Sequence, residues 1–143
     1  MYDAAVEGLE ERLRQALEAR EDVLVAYLFG SAARGKAGPL SDVDVAVLLA
    51  EDGDRFARFL EVVGEVARVV GPERADVVLL NEAPVALAYR VLRDGRVLLC
   101  RDDGARIEHW VRTVVRYLDM EPFFRTLEEG VRHRILEGRL GRP

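Results

Sequence analysis

Apolar residues recur along this chain at two different periods, and the switches between them outline the elements. Over residues 3 to 20, Val6, Leu9, Leu13 and Leu17 share one face of a helix. VLVAYLF (23 to 29) is instead dense, β-branched and aromatic, and Gly30 closes it, which predicts a strand. Residues 31 to 41 form a tight excursion with room for a single helical turn before Gly38 and Pro39. DVDVAVLL (42 to 49) is a second strand, broken by EDGD.

Helical period returns over residues 54 to 70, with Phe56, Phe59, Leu60, Val63, Val66 and Val70 as its stripe, until Gly71 and Pro72 stop it. ADVVLL (75 to 80) predicts a third strand, residues 84 to 93 a helix, and GRVLLC (95 to 100) a short edge strand. Two helices follow: Ile107, Val111, Val114 and Leu118 form one stripe before Pro122, and Phe124, Leu127, Val131 and Ile135 another after it. This is an α/β (α+β) pattern, a small mixed sheet packed by helices. A connector of about a dozen residues suits antiparallel pairing of the first two strands. The helix over 54 to 70 is a natural crossover, so the third strand is expected parallel to the second.

Composition narrows the class. In 143 residues there are 21 basic and 26 acidic side chains, a net charge of −5, which argues against binding driven by neutralising a nucleic-acid backbone. The one cysteine, Cys100, excludes an internal disulfide framework and fits a reducing compartment. With no long apolar run and no signal-peptide pattern, a cytoplasmic location without membrane contact is expected.

The chemistry is concentrated around the second strand. Asp42 and Asp44 are two positions apart, so they point to one face of the pleat while Val43 and Val45 point to the other. Carboxylates held so close raise each other's pKa unless a cation lies between them. An oxygen-only acidic site suits a hard divalent ion such as Mg²⁺. Gly30 and Ser31 close the first strand with a turn whose backbone N–H groups can cradle a phosphate. Antiparallel pairing brings that turn beside the two aspartates, and a parallel third strand brings Asp76 to the same edge. Three carboxylates around a phosphate-accepting turn describe a two-metal phosphoryl or nucleotidyl transfer site. Glu73, three residues from Asp76, competes for the place of third carboxylate.

GSAARGKAGPLSDVDVAVLL, Gly-Ser followed by ten residues and then Asp-x-Asp, resembles the DNA polymerase β-like nucleotidyltransferase superfamily. LAYRVLRDGRVLL (87 to 99) and VRYLDMEPFFRTLEEGVRHRILEG resemble the minimal nucleotidyltransferases, the MntA-type antitoxins encoded beside HEPN-domain toxins. The resemblance implies a nucleotidyltransferase domain over residues 1 to 100. A C-terminal helical extension, 101 to 143, would pack on that domain or on a partner. Gly30 and Ser31 would hold the triphosphate of ATP, with Arg34 and Lys36 beside them as phosphate contacts or solvated loop charges. Asp42, Asp44 and Asp76 would ligate Mg²⁺, and Asp76 would help deprotonate the acceptor. The acceptor it implies is a tyrosine of the cognate HEPN ribonuclease, silenced by AMP within a hetero-oligomer. Two other readings stay open: an antitoxin that acts by occupancy alone, and a small-molecule nucleotidyltransferase.

Overall fold

A computed structural model describes residues 4–30 and 42–137. The excursion over 31–41, with Ser31, Arg34 and Lys36, lies outside the described residues, as does the side chain of Val6. The described elements are α1 (Ala4–Glu18), β1 (Val23–Phe29), β2 (Val43–Leu49), α2 (Arg55–Val70), β3 (Ala75–Leu79), α3 (Val85–Asp94), β4 (Arg96–Cys100) and α4 (Asp103–Leu136).

The four strands form one sheet in the order β3-β2-β1-β4. β1 and β2 occupy its centre because their apolar runs can be covered on both faces, and each has one residue that is not fully buried. They pair antiparallel, as the short connector predicts, with Phe29 opposite Asp44. α2 carries the chain back across one face, so β3 lies parallel to β2, with Asp76 beside Asp44. β4 closes the other edge, antiparallel to β1.

Alternation sorts the strand residues into two layers. Val43, Val45, Val47 and Leu49 meet Leu13 and Leu17 of α1 and Val62, Val66 and Val70 of α2. Val25, Tyr27, Phe29, Ala46 and Leu48 meet Ala88 and Val91 of α3. Each Val or Leu buried in this way contributes roughly 1.5–3 kcal/mol relative to exposure. Asn81 replaces a strand neighbour at the end of β2, accepting from the Leu49 N–H at 2.8 Å and donating to its carbonyl at 2.9 Å. Asp54 caps α2 by accepting from the Ala57 N–H at 3.1 Å.

Two expectations need correction. On α2 the buried stripe is Val62, Val66 and Val70, and Phe56 and Leu60 lie on the outer face, 67% and 53% exposed. The apolar residues of this helix spread wider than the face the sheet can cover. The C-terminal stretch is also not two helices: α4 runs through Pro122 as one element of 34 residues. A proline inside a helix removes one N–H donor and crowds the carbonyl four residues back, at a cost of about 3 kcal/mol, and here the helix continues despite it. Here the carbonyl four residues back belongs to Leu118, a 62% exposed residue. The Thr126 hydroxyl donates to the Pro122 carbonyl at 2.9 Å. Only the first part of α4 rests on the domain, through Thr113 and the Tyr117 ring stacked on Tyr89 at 3.7 Å. Among the described residues no helix is long and apolar enough to cross a membrane.

Candidate active site

The strand register fixes the centre of the site. Asp44 and Asp76 are direct neighbours on the parallel strands β2 and β3, so their side chains leave the sheet on the same face. That face is the one α3 covers. Two carboxyl groups facing each other this way favour a shared proton or a cation between them. The pKa of Asp44 is pushed up from 3.8 to about 6. Partial burial is the largest cause, followed by the hydrogen bond to Asp76 and the negative charges of Asp76 and Asp42; the Arg90 guanidinium pulls weakly the other way.

Gly30 supplies the opposite rim. Its φ of +71° lies in the left-handed region that favours glycine. A methyl group there would also overlap the Asp44 carboxylate. The sequence therefore places glycine where the backbone just after β1 comes against Asp44. At Gly95, after α3, a methyl would stand 2.5 Å from the Val91 carbonyl and 3.2 Å from that of Leu28. The missing side chain lets the end of α3 settle against the end of β1. Between the two lies a cleft of about 510 Å³. Phe29, Gly30, Asp44, Asp76 and Val78 of the sheet form one wall, and Leu87, Arg90 and Asp94 of α3 the other.

Asp42 stands just ahead of β2, exposed, and is near enough for its charge to act on Asp44. Asp76 lines the cleft. Glu73 is exposed and lies in the preceding turn, where its carboxylate faces Gly71. The expected residues Ser31 and Arg34 lie outside the described residues. Among the described residues no three acidic, histidine or cysteine side chains are gathered closely enough to hold a metal ion by themselves. The Asp44–Asp76 pair nevertheless fits Mg²⁺. It is made of oxygen donors, has no ion-paired cation among the described residues, and opens to a cleft of about 510 Å³. Mg²⁺ usually takes one or two protein carboxylates and completes its shell with water and substrate phosphates.

Sequence reasoning missed the α3 wall. The signal was present in the spacing: Leu87, Arg90 and Asp94 fall at i, i+3 and i+7, while Ala88 and Val91 point to the core. The spacing alone does not tell which end of the sheet that second face overlooks.

Residues 11–104 match the family model described as Polymerase beta, Nucleotidyltransferase. Curated protein sequences give no match. Several solved structures share the fold. One, a toxin–antitoxin with AMP-PNP, is 26% identical with a TM-score of 0.70, the alignment covering 85% of this chain and 97% of that one. The toxin–antitoxin MntA-HepT is 24% identical with a TM-score of 0.65, over 87% and 97%. The third is a tri-AMPylated Shewanella oneidensis HEPN toxin in complex with MNT antitoxin, 24% identical with a TM-score of 0.66, over 88% and 98%.

Proposed function

The chain belongs to the polymerase beta nucleotidyltransferase family, and from that premise we propose that it transfers AMP from ATP to a tyrosine of a cognate HEPN ribonuclease toxin, acting as its antitoxin. The observation that carries the reading is the Asp44–Asp76 pair set against the Gly30 turn at the mouth of the cleft. The bound AMP-PNP and the AMPylated toxin of the similar complexes support the choice of nucleotide and acceptor.

In the transfer, the tyrosyl oxygen bonds to the α-phosphorus as the bond from that phosphorus to the β-phosphate bridging oxygen breaks, and pyrophosphate leaves. Asp44 and Asp76, with Asp42 as the nearby third carboxylate, are the residues that would hold Mg²⁺, which when bound would neutralise the triphosphate and orient the attacking and leaving oxygens. Asp76, the more exposed of the paired carboxylates, accepts the tyrosyl proton. Gly30 lets the triphosphate approach the backbone, with Ser31 and Arg34 as further phosphate contacts. The apolar residues that α4 leaves exposed, Trp110 and Phe123 among them, supply the surface for the toxin.

The test is co-expression with the cognate toxin and intact-mass measurement of the toxin. AMP increments on a toxin tyrosine, lost when Asp42 and Asp44 are both changed to Ala, are the expected result. A toxin that stays unmodified but is still silenced by that double variant would replace transfer with occupancy.

A further inference from the structure

We infer that Arg90 is a substrate-contacting residue of the cleft, binding the triphosphate of the nucleotide across from the Gly30 turn. Arg90 is exposed on the face of α3 that looks into the cleft, one turn from Leu87 and one from Asp94. Among the described residues it makes no hydrogen bond and no ion pair. Asp94, one turn on, is ion-paired with Arg93 at 2.9 Å. Arg90 is close enough for its charge to act on Asp44, yet it forms no ion pair with that carboxylate. It is therefore not the counter-ion of the acidic pair. A cation left unpaired beside two carboxylates is placed for a ligand that brings its own negative charge along with a metal.

Guanidinium chemistry fits that ligand. Arginine stays charged at all working pH values, and its planar fork of donors matches two phosphate oxygens at once. In nucleotidyl transfer the negative charge grows on the departing pyrophosphate. A fixed cation near the β- and γ-phosphates would stabilise that charge without taking part in proton transfer.

This rests on the nucleotidyltransferase reading of the cleft, and the experiment separates the two. In the full chain, binding of a non-hydrolysable ATP analogue, of AMP, and of Mn²⁺ alone is measured for the native protein, Arg90→Gln and Arg90→Lys. The expected result for Arg90→Gln is triphosphate affinity weakened about 10- to 100-fold, as for loss of a charge-assisted contact. AMP affinity should change less than about threefold, and Mn²⁺ alone should bind as well or better because a repelling charge is gone. Arg90→Lys should recover part of the triphosphate affinity, and it serves as the folding control. Triphosphate affinity that is unchanged in Arg90→Gln, or that rises together with Mn²⁺ affinity, overturns the role of Arg90 and leaves the cleft as a nucleotide site. A native protein that binds neither nucleotide nor Mn²⁺ overturns both.

Discussion

The two ends of the sheet both gather acidic side chains, and they treat them in opposite ways. At the end where β1 begins and β2 finishes there is a hollow of about 780 Å³ with Glu21, Asp22, Asp52, Asp54 and Glu61 in its lining. All of these acids but the exposed Glu21 have a partner among the described residues. Arg20 bridges Asp22 at 2.9 Å and Glu61 at 2.6 Å, Arg58 holds Asp52 at 3.0 Å, and Asp54 caps α2. At the other end, in a smaller cleft, Asp44 and Asp76 have chiefly each other, and the pKa of Asp44 rises to about 6. Satisfied carboxylates finish a structure, whereas paired carboxylates with no ion-paired cation among the described residues store a cost that a cation relieves. Size alone favours the first hollow, whereas charge accounting favours the cleft at Asp44 and Asp76.

Substitutions can break the contrast. Asp44→Asn should lower AMP transfer by about three orders of magnitude or more, since transfer depends on charge fixed at the reacting phosphate. Asp52→Asn, at the satisfied end, should leave transfer within about twofold. Initial rates with saturating ATP make the comparison, and equal losses in the two variants would dissolve it. Gly30→Ala should cost transfer on the order of 100-fold, because a 1 Å displacement at a reacting centre is enough for that. It should also cost about 1–2 kcal/mol of stability from left-handed backbone strain, read from denaturant unfolding.

The pH dependence of stability sharpens the contrast further. The pKa of Asp44 is higher in the folded chain than the ordinary 3.8, so the folded state holds the extra proton. The stability that this proton brings is complete below about pH 4 and is lost as pH rises through about 6. Metal-free protein should therefore lose stability across that window, and saturating Mg²⁺ should flatten the slope. Above pH 7 without metal, Asp76→Asn should raise the melting temperature by roughly 3 °C, from about 1 kcal/mol after allowing for solvent screening. A fall in melting temperature would mean that the pair is not repulsive. The smallest effect is expected from Asp54→Ala: about 1 kcal/mol of stability through the lost helix cap, with transfer unchanged.

The acidic end was legible in the sequence and its far wall was not, for a physical reason. Residues 23 to 29 and 43 to 49 are apolar enough to be covered on both faces, so they had to be central strands. With a short connector between them, Gly30 and Asp44 had to meet, and the α2 crossover carried Asp76 to Asp44. Those contacts follow from strand pairing, which alternation and connector length encode. Arg90 reaches the cleft through the packing of α3 across the sheet, and that angle depends on Gly95 fitting against Leu28 and Val91. No period in the sequence records it. Pro122 misled because an interior proline can kink a helix rather than end it, and the helical stretches on both sides of it join into one element.

The most direct measurement is Mn²⁺ binding followed by electron paramagnetic resonance, with a non-hydrolysable ATP analogue present, in the native chain, Asp44→Asn, Asp76→Asn and Asp52→Asn. The account predicts that the native chain and Asp52→Asn bind alike, while Asp44→Asn and Asp76→Asn each lose affinity at least about tenfold, the scale of a lost charged ligand contact. Undiminished binding in both Asp44→Asn and Asp76→Asn would contradict it.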